Sequence, residues 1–212
     1  ICEAVGLGIH VNIDSLSNLE KFGAKYGNGY PVGVRVRPNI MAGGNLKIST
    51  GHDKSKFGIP AKESLLEMYQ VEKDWAKAIV ASQELEALQN KGREKEIAHF
   101  HCELADEALR RKDLAAATKH VELAMQSSPN HPRAIILQGD CLVAQNQLTQ
   151  AIEVWSLIAK NHPAYLHLLA NRWINVHQVL GKVEEGLQVL IDTLETQAGG
   201  ELLDITFKHV MA

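Results

Sequence analysis

The chain has 212 residues, 45% hydrophobic and 22% charged, with a net charge of −3. That balance belongs to a globular protein and leaves no basic surface for nucleic acid or an anionic membrane. Three separated cysteines (Cys2, Cys102, Cys141) exclude a disulfide framework and a zinc ribbon, and no apolar run approaches the roughly 20 residues of a membrane-spanning helix.

The composition changes near residue 60. Residues 1–60 hold ten of the sixteen glycines and carry +3, whereas 61–212 carry −6. Two domains of different character are expected, 1–60 and 61–212. GIHVNID (8–14) is β-branched and apolar at its centre, as a strand requires. Ser15 and Ser17 can cap the helix that follows, with Leu16, Leu19 and Phe22 on one face, and Gly27 and Gly29 end it. PVGVRVRPNI (31–40) alternates Val32, Val34 and Val36 and reads as a second strand. The strand–helix–strand order implies a parallel pair with a right-handed crossover. Residues 41–60 are Gly-rich and loop-like.

HVNIDSLSNLEKFG, VRVRPNIMAGGNLKISTGH and SKFGIP resemble the diaminopimelate decarboxylases. The resemblance implies part of a TIM-like barrel from a pyridoxal-phosphate (PLP) enzyme of lysine biosynthesis. It covers only 1–60, about two strands, which cannot close a barrel. The family's PLP-linking lysine falls upstream of the segment, and its stacking histidine and phosphate-binding glycines fall downstream. His52 and Lys56 are therefore read as loop residues, and no catalytic residue is expected. A parallel strand pair cannot bury both its faces alone, so 1–60 should be poorly ordered or lean on the first helical hairpin after it.

Residues 61–212 read as helix throughout. Leu114, Ala117, Val121 and Pro129 recur 34 residues later as Leu148, Ala151, Trp155 and Pro163, and Ala105 recurs as Gly139. This period, with small residues where two helices touch, marks the tetratricopeptide (TPR) repeat. The expected fold is mainly α: a solenoid of about four hairpins plus a truncated last helix, after a small incomplete β/α barrel fragment. The units run about 61–91, 98–131, 132–165 and 166–200. Leu66, Tyr69, Trp75 and Ala78 should pack the first, and Leu104, Ala105, Ala108, Ala117, Val121 and Ala124 the second. Ile135, Gly139, Leu142, Ala151, Trp155 and Ile158 should pack the third. Ala78 and Ala117 lie 39 residues apart, and the surplus fits a longer loop at Gln89–Glu94. The fourth unit is degenerate, with Gly186 one residue late in the Ala151 slot. Trp75, Trp155 and Trp173 read as core.

The first helix of each repeat lines the concave face of such a solenoid, where a protein segment can lie. The register puts Glu63, Glu67 and Gln70 there from the first unit. It adds His99, Cys102, Asp106 and Leu109 from the second, Arg133, Ile136, Asp140 and Val143 from the third, and Leu168, Asn171, Asn175 and Gln178 from the fourth. This set favours a helical or extended segment with some basic character. His99, His101 and Cys102 suggest a metal, but too few ligands share one helix face for a four-coordinate site, and no metal is expected. No phosphate loop or nucleophilic triad is present.

LLEMYQVEKDWAKAI, EIAHFHCELA and GKVEEGLQVL resemble the lipopolysaccharide assembly protein B family of Gram-negative bacteria. The resemblance spans about 62–212. It implies an adaptor that brings the lipid A deacetylase to a membrane protease and so sets the rate of lipopolysaccharide synthesis. It implies a cytoplasmic location, at the inner face of the inner membrane in the complete family protein. The family's membrane anchor and its rubredoxin-like metal knob have no counterpart in these residues. The first residue is Ile rather than Met, so a missing start is expected. The abrupt change between Phe57 and Lys62 also raises an artificial join of two reading frames, and a decarboxylase fragment is the alternative to the adaptor.

Overall fold

The computed structural model describes residues 5–27, 29–37, 59–196 and 200–210. The chain forms two compact units, Ile1–Asn90 and Lys91–Ala212. The change of composition near residue 60 falls inside the first.

The first unit opens with a small β/α element. Strand β1 (Asn12–Ile13) leads into helix α1 (Leu16–Tyr26) and then strand β2 (Gly33–Val34). β1 and β2 pair in parallel, Asn12 with Gly33 and Ile13 with Val34, as the order of elements requires. The Ser15 side chain caps α1 by accepting from the Asn18 N–H at 3.4 Å. Gly27 ends it at φ 56°, the left-handed region that suits glycine. Val11, Ile13 and Phe22 form a small core, with Leu19, Tyr26, Tyr30 and Val32 packed against it.

The single strand expected over 31–40 is two pieces within 31–37. β2 faces β1, whereas β3 (Val36–Arg37) turns to β4 (Ile59–Pro60), pairing Val36 with Ile59 and Arg37 with Pro60. Arg35 marks the change, its N–H donating to the Ile13 carbonyl at 2.8 Å. The Gly-rich segment with His52 and Lys56 lies outside the described residues.

β4 runs directly into helix α2 (Ala61–Glu72), which pairs with α3 (Trp75–Gln89) as a hairpin. The strand-to-helix step falls within the span 57–62 where a join is expected. Leu16, Leu19, Val34 and Val36 share one groove of about 470 Å³ with Ser64, Glu67, Met68, Val71 and Glu72 of α2. The β/α element and the first hairpin thus line a common groove, in which Val71 remains 83% exposed.

The second unit is helical hairpins. Its helices are α4 (Glu94–Arg110), α5 (Leu114–Ser127), α6 (Pro132–Ala144), α7 (Leu148–Asn161), α8 (Ala170–Val179), α9 (Val183–Thr196) and α10 (Gly200–Val210). A 3₁₀ turn, Pro163–Leu168, precedes α8. Every position expected to be small is buried: Ala105, Ala117, Ala124 and Ala151 are wholly inaccessible, and Gly139 and Gly186 are buried with them. Gly139 is dictated by its neighbour, because a Cβ there would lie 2.0 Å from Trp155 Nε1. That nitrogen instead donates to the Ile136 carbonyl at 3.0 Å. Trp155 and Trp173 are core, joined by Ile158, Leu166, Leu169 and Leu190; Trp75, in the first unit, is only half-buried.

Each hairpin turns on a corner of the same shape. Lys73, Lys112, Asn146 and Gly181 have φ of 58°, 61°, 61° and 69°. After each comes an N–H that reaches back five residues: Asp74 to Tyr69, Asp113 to Ala108, Gln147 to Leu142 and Lys182 to His177, all at 2.8–2.9 Å. Asp74 and Asp113 then cap the next helix by accepting from Lys77 and Ala116 N–H groups.

The surplus residues between the first two repeats are not in the loop. The connection before α4 has the same four residues, 90–93, as the connection 128–131 before α6. α4 has 17 residues where α6 has 13, so the surplus is an extra helical turn. The fourth unit is degenerate because Pro163 opens a 3₁₀ turn in place of a helix start, leaving α8 only 10 residues.

Candidate partner-binding face

The first helices of the second unit's hairpins, α4, α6 and α8, expose side chains linked from one repeat to the next. Arg133 of α6 pairs with Glu103 of α4, and lies 3.9 Å from Asp106. Asp106 also takes Arg110 at 3.3 Å, and His99 Nε2 lies 3.6 Å from Glu103. Arg172 of α8 pairs with Asp140 of α6 and donates to the Leu168 carbonyl at 2.8 Å. His209 of α10 donates from Nε2 to Asn171 Oδ1 at 3.2 Å.

The electrostatics follow from depth. Burial raises the Asp140 carboxyl above its ordinary range, and the Arg172 guanidinium opposes this without overcoming it. Burial opposes the charge of Arg133, but the hydrogen bond and charge of Glu103 prevail and raise its pKa. Such half-exposed pairs are each worth about 0.2–1 kcal/mol to stability. Glu103, Asp106 and Asp140 thus already have cations within the protein.

Of the residues expected in the groove, His99, Asp106, Arg133, Asp140, Leu168, Asn171, Asn175 and Gln178 reach this surface, the last four being exposed. Cys102 and Ile136 do not. Cys102 is fully inaccessible among Ala98, Ala105, Ala134, Leu137 and Cys141, and Ile136 packs with Trp155 and Trp173. Both are corrected to core positions: a middle helix packs against its own hairpin partner and against the next repeat, which leaves a narrower open stripe than one helix face. Cys102 Sγ lies 3.8 Å from His131 Nδ1, and burial pushes its thiol up to about 12, so it is inert. Glu63, Glu67 and Gln70 belong to the first unit. There Glu63 accepts from Gln89 at 2.6 Å and Glu67 borders the apolar groove.

Sequence reasoning missed Glu103 and Arg172. Their signal was opposite charge about one repeat apart, Glu103 to Arg133 and Asp140 to Arg172.

Among the described residues no cluster of three or more His, Cys, Asp or Glu side chains could hold a metal, and no helix is long and apolar enough to cross a membrane.

Comparison with known proteins separates the two ends of the chain. The family profile described as anaphase-promoting complex, cyclosome, subunit 3 matches residues 110–193. Lipopolysaccharide assembly protein B of Escherichia coli (strain K12) is 28% identical over 149 residues, which are 70% of this chain and 38% of the relative. The Haemophilus influenzae protein of that name is 25% identical over 113 residues, 53% of this chain and 28% of its own length. The chain is similar to lipopolysaccharide assembly protein B. It spans about two fifths of the length of the E. coli relative. The profile described as pyridoxal-dependent decarboxylase, pyridoxal binding domain matches residues 1–80, past the β/α element and into the α2–α3 hairpin.

That second match implies pyridoxal phosphate, which is held through a lysine amine kept neutral in a closed pocket. The described lysines do not fit. Lys21, Lys25 and Lys73 are on the surface, Lys62 pairs with Glu84 at 2.8 Å, and Lys77 pairs with Asp74 at 2.6 Å. The hydrogen bond to Asp74 raises the Lys77 amine pKa, the opposite of what that chemistry needs.

Proposed function

We propose that the chain is a non-catalytic adaptor that receives a protein segment along the exposed stripe of α4, α6 and α8. The carrying observation is the linked row of Arg133, Arg172, Asp106 and Asp140, flanked by open Asn171 and Asn175. These carboxylates already have partners within the protein. The row therefore suits a segment that hydrogen-bonds to amides and exchanges ion pairs, more than a simple basic peptide. Similarity to lipopolysaccharide assembly protein B supports a place in lipopolysaccharide regulation, with the lipid A deacetylase as the expected cargo and a membrane protease as its destination.

The test is site-specific photocrosslinking to purified lipid A deacetylase. A photoreactive residue at Asn171 or Asn175 should capture the enzyme; one at Lys119 or Glu153, on second helices, should not. Equal capture from both sets, or none, overturns the reading.

A second reading rests on the profile match to residues 1–80: this part is a piece of a pyridoxal-phosphate decarboxylase. The boundary at residue 60, and a join there, belong to that reading. Adding pyridoxal phosphate to the full chain should then produce a visible absorption band that borohydride fixes to a lysine. The first reading expects no such band.

A further inference from the structure

His101 and His120 are two buried or half-buried imidazoles on different helices of one hairpin. His101 lies on α4 and is 9% exposed; His120 lies on α5. Their Nδ1 atoms are 3.2 Å apart and their ring centres 5.5 Å apart. The centre-to-centre distance equals the nitrogen separation plus one ring radius at each end. The two nitrogens therefore meet head-on. Two imidazoles sharing a metal would bend their axes toward a third point and bring the ring centres closer. Head-on nitrogens fit one shared proton, N–H on one ring and a lone pair on the other.

We propose that His101 and His120 form a proton-bridged latch that holds α4 against α5 near neutral pH and fails under mild acid. The bridge needs one proton between the two Nδ1 atoms. A first added proton can enter at an outer Nε2, leaving the bridge intact at the cost of a buried charge. A second must occupy the remaining Nδ1 lone pair, and two facing N–H groups then repel. Opening the hairpin releases both rings to water, where each takes its proton freely.

The surroundings reinforce this. Burial, then the neighbouring His120, lowers His101 to about 4; burial, then Lys119, lowers His120. The charged groups of α6 are engaged elsewhere: Arg133 with Glu103 and Asp106, and Asp140 with Arg172. Cys141 interacts with Thr118. On α4, Cys102 faces His131, and His99 lies beside Glu103. The acidic groups named here are thus taken up by other cations, and none of them offsets a charge on the pair.

The sign follows from linkage. Both folded pKa values lie below the ordinary imidazole value, so the open state binds more protons. Stability is full above about 6.5 and is lost as pH falls toward the folded values. For His101 alone, about 4 folded against about 6.5 open gives a roughly twenty-fold increase in hairpin opening between pH 7 and pH 5.

The experiment is hydrogen exchange of the full chain at pH 7 and pH 5, corrected for intrinsic rates, with ring-nitrogen NMR of the unaltered protein. Exchange within α4 and α5 should rise about twenty-fold or more at pH 5. In His101→Phe/His120→Leu that rise should largely vanish. At pH 7 the ring spectrum should show one imidazole protonated at Nδ1 and facing an unprotonated Nδ1. Equal acid sensitivity in both proteins, or two rings both protonated only at Nε2, overturns the latch. The NMR measurement decides the matter even if the double variant fails to fold.

Discussion

The β/α element and the hairpins of the second unit handle apolar residues in opposite ways. In the first, Val34 and Val36 alternate as a buried strand should, yet they are 44% and 53% exposed on two-residue strands. In the second, Ala117, Ala151 and Trp155 are wholly inaccessible. The difference is not hydrophobicity. A parallel strand buries both its faces only when other layers cover them, whereas a hairpin closes on itself and needs only the next repeat.

The largest effect that sharpens this contrast is Trp155→Ala. Removing a fully buried indole should cost the second unit about 3–5 kcal/mol, read as a lower denaturant midpoint followed by Trp173 fluorescence. An equal loss from Val36→Ala would erase the distinction. Next is Gly139→Ala. The added methyl must displace Trp155 and break its bond to the Ile136 carbonyl, at about 1–3 kcal/mol. A neutral result would show that this contact is looser than the distances indicate.

Arg172→Met should cost about 1–2 kcal/mol, because it leaves the Asp140 carboxylate shielded and unpaired. Its pH dependence has a definite sign. Burial already raises Asp140, and removing the cation raises it further, so the folded state holds a proton more tightly than the unfolded one. Acidification from neutral pH should therefore return part of the loss, visible as a melting difference from wild type that narrows toward pH 5. The smallest expected effect is from deleting residues 1–60, which should leave melting of the second unit unchanged. A fall of several degrees would show that the second unit depends on residues 1–60.

The repeat was legible because helix contacts demand small residues at fixed intervals, as Ala105, Ala117 and Ala151 show. The corners were not, because Lys73, Lys112, Asn146 and Gly181 share a backbone conformation and no side-chain chemistry. The open face was legible in outline from His99, Arg133 and Asn175. Cys102 and Ile136 were misplaced there because their burial comes from helices distant in sequence. The His101–His120 pair was equally hidden: 19 residues and a turn separate them, and only the hairpin's closure brings the rings together. In the first unit the parallel pairing could be read, but the change of strand partner at Arg35 depends on β4, which no local pattern announces.

The recurring left-handed corners separate what can vary in this architecture from what cannot. Each acts as a fixed joint, defined by one backbone angle and one hydrogen bond, while the helices between joints are adjustable struts. α4 has gained a turn and α8 has lost one, yet the joints at Lys112 and Gly181 keep their form. Insertions of about one helical turn can therefore enter such a chain without disturbing the connections on either side, and strict sequence periodicity can fade while the mechanical repeat persists.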